Sequence, residues 1–202
     1  MGQIPTLTVY SDFICPFCYI GKVNAERLRA RIPDLHIRWR ELELHPADQP
    51  DPDPAYLQRA QEAAADLAAR YGIPMRAEVV TTLTSRSRNA LLGLEHARDH
   101  GCADAYRDAV FRAYWQAARD IGDLTVLAEL AADLGLDVQA FRRAVVTEAG
   151  GKRLQTTRAE ALRLGLRGLP AFVAGDAMAS GAQPVEVLER LVERSLDGVD
   201  RG

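Results

Sequence analysis

Two cysteines separated by two residues are the part of this sequence best suited to chemistry. Cys15 and Cys18 enclose Pro16 and Phe17 in the run CPFC, and the third cysteine, Cys102, lies far along the chain. On one turn of a helix, positions i and i+3 bring two Cα atoms to about the 5–6 Å separation that a disulfide requires. The pair could therefore open and close as a dithiol with little backbone movement.

The expected position of this pair at the start of a helix separates the roles of the two thiols. Unpaired amides and the helix dipole favour a thiolate at a helix N-terminus, and Cys15 would lie there, with Pro16 in the first turn. A thiolate attacks a disulfide to form a mixed disulfide, and a second thiol then resolves it. We therefore predict that Cys15 attacks and Cys18 resolves.

A CxxC pair can also be half of a zinc site, or an inert buried pair. Zinc would need a second pair of ligands, and only His100 and Cys102 offer one, at a spacing shorter than that of structural zinc pairs. A CxxC between a strand and a helix is typical of a redox site. We expect no bound metal and no bound organic cofactor.

The elements around the pair follow a strand, helix, strand order. The run TLTVY at Thr6–Tyr10 predicts a strand, and the apolar spacing after CPFC predicts a helix that ends at Pro33. The run LHIRWRELEL predicts a second strand. Its apolar alternation changes after Trp39, which indicates either a bulge or a strand covered on both faces.

The rest of the chain is mostly helical in pattern. A proline-rich break at 45–54 leads into a long stretch without a convincing strand. After Gly165, the runs LPAFVAG and AMASGA predict two short strands, and PVEVLERLVERS predicts a closing helix. The order is therefore βαβ, a helical insertion, then ββα. The inserted helices are predicted at about 55–71, 85–100, 103–119, 124–134, 138–147 and 152–164.

Length and composition limit the class of protein. With 202 residues, 48% apolar and 26% charged, the chain fits one soluble domain with an insertion. A net charge of −3 gives no nucleic-acid footprint. No apolar run approaches the roughly 20 residues that span a membrane, and the first residues lack the pattern of a signal peptide. We expect a cytoplasmic protein with neither nucleic-acid nor membrane partners.

Three segments resemble the DsbA family of thioredoxin-fold proteins, and within it the FrnE-like cytosolic branch. SDFICPFCYIGK (11–22) is similar to the active-site strand, turn and helix of that branch, GLRGLPAFVAG (165–175) to its cis-proline strand, and SGAQP (180–184) to the entry to its last helix. The resemblance covers essentially the whole chain. It implies an α/β thioredoxin-like domain at 1–46 and 166–202, with an inserted all-helical subdomain at 47–165.

The resemblance also implies roles for single residues. Cys15 matches the nucleophile, Cys18 the resolving cysteine, and Pro170 a proline after a cis bond that faces the dithiol. A cis bond would expose the backbone of Leu169 to an extended substrate. From the residues alone, Pro170 could equally begin a strand in the trans form. Pro16 and Phe17 lie between the cysteines, and Phe17 is expected to point outward. The predicted substrate-binding residues are therefore Pro16, Phe17, Leu169 and Pro170.

Other polar residues near the pair have competing interpretations. Glu41 continues the alternation of Ile37 and Trp39 and could point inward, where thioredoxin-fold enzymes commonly use a carboxylate to move a proton to or from the inner thiol. Alternatively, the strand ends or bulges there and Glu41 is solvated. Lys22 is expected to be solvated, and Cys102 to be a packing residue.

Together these features predict a cytosolic thiol–disulfide oxidoreductase acting on disulfide-containing or thiol-containing proteins or small molecules. A glutathione-like thiol or another redoxin would recycle Cys15 and Cys18. The direction of electron flow stays open. A second interpretation is a glutathione-dependent enzyme resembling 2-hydroxychromene-2-carboxylate isomerase or the kappa-class transferases, which typically have serine at the first cysteine position. A third is a redox-inactive chaperone or zinc-bound scaffold.

Overall fold

A four-stranded mixed sheet forms the centre of the fold. In the computed structural model, which describes residues 4–76 and 86–197, its strands lie in the order β2-β1-β3-β4. The first two strands run parallel, whereas the other neighbours are antiparallel. The strands are β1 (Thr6–Ser11), β2 (His36–Glu41), β3 (Ala171–Ala174) and β4 (Ala177–Ser180).

Helices make up most of the rest of the described chain. Those between β2 and β3 belong to one long connection. Their positions agree with the helical patterns of the sequence, which confirms the predicted α/β class and the order βαβ, helices, ββα. They are α1 (Pro16–Arg31), α2 (Pro54–Arg70), α3 (Arg88–Asp99), α4 (Ala103–Trp115), α5 (Leu124–Asp133), α6 (Val138–Val146), α7 (Gly151–Arg163) and α8 (Val185–Asp197). The start of the predicted helix at 85–100 falls partly outside the described residues.

Local signals fix the ends of these helices. Helix α1 begins with Pro16 at its first position, where the missing N–H of proline removes no intrahelical bond. The carboxylate of Asp53 accepts a hydrogen bond from the amide of Ala55 and caps α2. Gly101 and Gly165, which follow α3 and α7, have φ angles of 74° and 68°. Only glycine adopts this left-handed conformation without a steric penalty.

Strand β2 ends where its apolar alternation changes. Trp39 and Glu41 are both buried and lie on one face, and β2 ends at Glu41. Leu42 already belongs to the following loop, where its amide donates to the carbonyl of Ser11 at 3.0 Å. The change of alternation therefore marks the end of the strand, and the predicted bulge or two-sided cover is not needed to explain it.

Helices cover both faces of the sheet. Leu7 and Val9 of β1 pack with α1 and α8, through residues such as Leu28 and Leu188. Helix α7 approaches the sheet through Ala161, which packs in a smaller cluster with Tyr10 and Ala171. The helix that the sequence assigned to the inserted subdomain thus contributes to the packing of the sheet. The division of the chain at residues 46/47 and 165/166 stays a prediction.

Helix α1 also takes part in a second, larger core. Cys18, Tyr19 and Ile20 are buried in a cluster built mainly from the helices of the long connection. The indole N–H of Trp115 in α4 donates to the carbonyl of Phe13 at 2.8 Å and ties this core to the loop before α1. Because α1 is shared by both cores, the CPFC run lies at the junction between them.

Candidate active site

The two cysteines occupy the start of α1, as the sequence predicts. Cys15 is the N-cap residue, with extended backbone angles, and the amide of Cys18 donates to its carbonyl at 3.0 Å. Both thiols are free, and both residues are almost fully buried. Cys15 therefore lies at the end of α1 that carries unpaired amides and the positive end of the helix dipole.

The thiol of Cys15 faces the loop that precedes β3. Its Sγ atom lies 3.6 Å from the carbonyl oxygen of Leu169, to which the S–H can donate. The peptide bond between Leu169 and Pro170 is cis, which is the isomer that the resemblance implies. The fold thus brings Cys15, the predicted nucleophile, together with the loop residues that the sequence predicts as its partners.

Gly21 allows this loop to approach α1 closely. A Cβ atom added at Gly21 would lie 2.9 Å from Cγ of Pro170 and 3.0 Å from Cζ of Phe172. Carbon atoms do not approach so closely without displacement, so a larger residue would push Pro170 away from the helix. Gly21 is therefore a positioning residue that the sequence reasoning missed, although it follows the CPFC run by less than one helical turn.

Cys18 lies deeper and is held by the end of β1. The backbone amide of Asp12 donates to its Sγ atom at 3.5 Å. Burial raises the pKa of Cys18 well above its usual value, and the neighbouring Cys15 raises it further. The Asp12 amide and the Ser11 hydroxyl oppose this effect only in part. Cys18 is accordingly a protonated thiol at neutral pH.

Asp12 is a buried carboxyl group that sequence reasoning did not select. Its Oδ2 atom accepts hydrogen bonds from the amide of Leu44 at 2.6 Å and from the hydroxyl of Ser87 at 2.9 Å. Burial raises the pKa of Asp12 to about 6, despite these bonds. A signal was present in the sequence, because an acidic residue stands between an apolar strand and the CPFC run. Only the tertiary contacts, however, bury it.

A small cavity joins Asp12 to the end of β2. It measures about 10 Å³, which is roughly the space that one water molecule needs, and Ser11, Asp12, Glu41 and Arg107 are among its lining residues. The hydroxyl of Ser11 and the Oδ1 atom of Asp12 are buried, and neither has a geometrically good hydrogen-bond partner in the described part of the chain. The cavity therefore places polar groups beside Asp12, whose amide contacts the Sγ atom of Cys18.

Glu41 is buried, so the alternative of a solvated strand end is wrong. Its carboxylate forms ion pairs with Arg98 of α3 and Arg107 of α4. The guanidinium group of Arg107 also lies over the ring of Trp39, 4.9 Å from its centroid. Glu41 therefore links the sheet to the helical core, and its role in proton transfer stays a prediction.

The structure also gives the surroundings of Phe17, Lys22 and Cys102. Phe17 is half-buried and packs on the helical core, so it points outward less than expected. Lys22 is not solvated: it is buried and forms ion pairs with Glu26 and Asp108. Cys102 packs beside α3, where its thiol donates to the carbonyl of Ala97, as expected of a packing residue.

Within residues 4–76 and 86–197, no three side chains of His, Cys, Asp or Glu are gathered closely enough to hold a metal ion. Of the helices in those same ranges, none combines the length and the apolar character required to cross a membrane.

Sequence comparisons relate the chain to known proteins over nearly its whole length. The family model described as a DSBA-like thioredoxin domain matches residues 6–193. The uncharacterized protein YwbO of Bacillus subtilis is 29% identical over 195 residues, covering 92% of this chain and 94% of that protein. The 2-hydroxychromene-2-carboxylate isomerase of Sphingobium xenophagum is 27% identical over 198 residues, covering 91% of this chain and 96% of the isomerase.

Solved structures share the same fold. A probable DsbA oxidoreductase from Streptomyces coelicolor superposes with a TM-score of 0.78 at 28% identity, covering 95% of this chain and 90% of the other. The cytosolic disulfide reductase DsbM of Pseudomonas aeruginosa has a TM-score of 0.69 at 20% identity, covering 96% of this chain and 97% of the other.

Proposed function

The chain belongs to the family of DSBA-like thioredoxin domains, and we propose that within this family it is a thiol–disulfide oxidoreductase working through Cys15 and Cys18. The observation that supports this most directly is the free dithiol at the start of α1, with the Cys15 thiol against the carbonyl of Leu169. An attacking cysteine and a resolving cysteine within one helical turn are what this exchange reaction requires.

The first step is attack by the Cys15 thiolate on a substrate disulfide. The S–S bond of the substrate breaks as a bond forms between Cys15 and one substrate sulfur, and the other sulfur leaves as a thiolate that takes up a proton. A substrate strand that pairs with the backbone of Leu169 takes the place of the contact between Leu169 and Cys15. Pro16, Phe17 and Pro170 complete the proposed substrate-binding surface.

In the second step, Cys18 loses its proton and attacks Sγ of Cys15. The second substrate sulfur is released and protonated, so the substrate gains two electrons and two protons, and Cys15 and Cys18 become a disulfide. A base must accept the proton because burial keeps Cys18 protonated. Asp12 fits this role best, since its pKa of about 6 means that its carboxyl group is mostly ionised at neutral pH and can accept a proton.

The route of that proton runs through the small cavity beside Ser11. One water molecule there would bridge the Ser11 hydroxyl and Oδ1 of Asp12. Glu41, the acceptor predicted from the sequence, lines the same cavity but would have to give up its ion pairs with Arg98 and Arg107 to take a proton. We therefore propose Asp12 as the acceptor and Glu41 as a secondary site on the same path.

Recycling of the dithiol completes the proposed cycle. Two molecules of a glutathione-like thiol, or the dithiol of another redoxin, would reduce the disulfide between Cys15 and Cys18 to two thiols and would themselves be oxidised to a disulfide. This cycle would make the protein a net reductase in a reducing compartment. We propose the cytoplasm as that compartment. DsbM, which has the same fold, is a cytosolic disulfide reductase that has also been solved with glutathione.

The second candidate function is a glutathione-dependent isomerase. Two curated relatives are 2-hydroxychromene-2-carboxylate isomerases, 27% and 26% identical over most of this chain. Enzymes of that type use the thiol of glutathione as the reagent. The presence of both Cys15 and Cys18 favours the oxidoreductase, because the protein then supplies its own thiols.

Insulin reduction by dithiothreitol tests the proposed function. We expect the wild-type protein and Cys102→Ser to accelerate it equally, and Cys15→Ser to abolish the acceleration. In a separate incubation without dithiothreitol, reduced Cys18→Ser should accumulate a mixed disulfide with insulin, which intact-mass spectrometry detects. Acceleration that survives Cys15→Ser would exclude this mechanism. Parallel assays of 2-hydroxychromene-2-carboxylate isomerisation with glutathione and of bound zinc test the isomerase and scaffold alternatives.

A further inference from the structure

A cavity of about 240 Å³ opens beside Leu169, next to the proposed nucleophile. Its lining comes from the chain after β2, from α7 and from the loop before β3. Sites for whole small molecules usually measure about 300–1,000 Å³. A cavity of this size, adjoining the residue that touches Cys15, is better matched to a few side chains of a larger substrate.

The walls of this cavity are partly apolar. Leu42, Leu162 and Leu166 contribute to the lining, and Leu162 is 69% exposed. A single exposed leucine is common on protein surfaces. Here, however, it borders a concave site with other leucines, where an aliphatic side chain of a substrate would be removed from water on several sides.

The unbalanced charge in the cavity is positive. Glu43 belongs to the lining, but its carboxylate is paired with Arg88 at 3.0 Å. Arg158 contacts Asp48 at 3.4 Å. Arg167 is exposed and forms no ion pair with any residue in 4–76 or 86–197. A carboxylate entering the cavity would therefore find the guanidinium group of Arg167 available.

The backbone along the cavity is also available for pairing. In the described part of the chain, the amides of Arg167, Gly168 and Leu169 donate no hydrogen bond. Three such residues extend over about 10 Å. Unpaired main-chain amides can donate to the carbonyl groups of an extended peptide that lies alongside them. They end at the residue whose carbonyl contacts the Cys15 thiol.

We propose that this cavity is a substrate subsite for an extended peptide that carries an apolar residue and then an acidic residue beside its disulfide-bonded cysteine. The inference rests on the proposed function and names its substrate class. The peptide backbone pairs with residues 167–169, the apolar side chain contacts Leu42, Leu162 and Leu166, and the carboxylate pairs with Arg167.

Chromogenic peptide disulfides test the subsite on the full-length protein. Each peptide carries leucine next to its cysteine, and Asp, Asn or Lys on the far side of that leucine. In one set these two residues lie N-terminal to the cysteine, and in the other set they lie C-terminal to it. The cysteine is a mixed disulfide with pyridine-2-thiol, an uncharged leaving group. Attack by Cys15 on the peptide sulfur releases pyridine-2-thione, and the rate constant of its release is measured.

We expect the Asp peptide of one set to react about five-fold faster than the Lys peptide, which is the factor given by an exposed ion pair of about 1 kcal/mol. The Asn peptide should fall between them, and 1 M NaCl should remove most of the difference. Arg167→Gln should abolish the ratio between Asp and Lys peptides. Arg163→Gln removes an exposed charge on α7 that does not line the cavity, and should keep it.

The apolar wall has its own matched pair of variants. Leu162→Ser should reduce the advantage of leucine-containing peptides over serine-containing ones by a few-fold. Val146→Ser, at 70% exposure on α6, should leave that advantage unchanged. An equal effect of Leu162→Ser on both kinds of peptide would contradict the apolar contact.

Small disulfides separate failure of the subsite from failure of the proposed function. If 2,2′-dithiodipyridine reacts with Cys15 but the Asp and Lys peptides react equally in both sets, the subsite is wrong and the oxidoreductase assignment stands. If Arg167→Gln slows glutathione disulfide alone, the cavity takes a small thiol and the peptide proposal is wrong. If no disulfide reacts, both proposals fail.

Discussion

The thiol of Cys15 lies 3.6 Å from the carbonyl oxygen of Leu169, although the two residues are 154 positions apart in the chain. This contact joins the start of α1 to the residue before the cis bond at Pro170. Anything that shifts the loop before β3 will therefore change the surroundings of the proposed nucleophile. The reactivity of the dithiol depends on two distant segments.

The close packing at Gly21 should control this contact. In Gly21→Ala, the added Cβ would meet Pro170 and Phe172 at about 3 Å. We expect a loss of about 1–3 kcal/mol from overpacking, offset by up to about 1 kcal/mol of helix propensity. Displacement of Pro170 should also lower the rate constant of insulin reduction, by up to about 100-fold if the misplacement reaches about 1 Å.

Gly151→Ala is the matched control for this substitution. Gly151 also lies in a helix, but there the nearest side-chain atom to an added Cβ is 3.6 Å away. Its unfolding free energy, from urea denaturation, should be equal to or above that of the wild type, and its reductase activity should be unchanged. If Gly21→Ala keeps full activity, Pro170 does not need its close approach to α1.

The two active-site thiols should differ in their reactivity towards iodoacetamide. Because burial raises the pKa of Cys18, carbamidomethylation at pH 7 should modify Cys15 first. Peptide mass spectrometry after short exposures measures the site of labelling, and Cys15→Ser should leave Cys18 largely unmodified at that pH. Preferential labelling of Cys18 would reverse the proposed roles.

Asp12 should make stability depend on pH. Its pKa is raised from 3.8 to about 6 by burial, so the folded state holds this proton more tightly than the unfolded state. The resulting stabilisation is fully present below about pH 4 and is lost as pH rises through 6. This difference corresponds to about 3 kcal/mol. The unfolding free energy of Asp12→Asn, taken relative to that of the wild type at the same pH, should therefore be about 3 kcal/mol higher at pH 8 than at pH 4.

Urea denaturation at both pH values measures this change. Asp176→Asn, in the exposed turn between β3 and β4, should alter the unfolding free energy by less than about 0.5 kcal/mol at either pH. A pH-independent effect of Asp12→Asn would contradict the raised pKa. The same variant should slow the second step of disulfide exchange near pH 7 while leaving attack by Cys15 unchanged.

Glu41→Gln separates a structural role from a role in proton transfer. Removal of the carboxylate charge leaves Arg107 buried without its partner in β2, and we expect a loss of about 3 kcal/mol in unfolding free energy. If Asp12 is the main proton acceptor, the pH profile of insulin reduction should keep its wild-type shape. A displaced profile would instead assign the proton to Glu41. Asp104→Asn, which removes an exposed partner of Arg107, is the control.

Local signals in the sequence were enough to predict the order of elements and the place of the two cysteines within it. Proline after Cys15, the spacing of the two cysteines and the apolar periodicity that follows are local signals, so they predicted the start of α1 and the position of the dithiol. The change of alternation after Trp39 was also local, yet it was ambiguous, because a strand end and a bulge produce the same pattern.

Tertiary structure alone decided which side chains surround the dithiol. Asp12 owes its raised pKa to contacts with Leu44 and Ser87, which belong to other elements. Glu41 was expected to be solvated or near the first helix, but its carboxylate is buried and pairs with Arg98 and Arg107 of the helical core. Burial and pairing depend on residues that are far apart in the chain. A single sequence shows the local periodicity of helices and strands, but it does not show which distant residues are in contact.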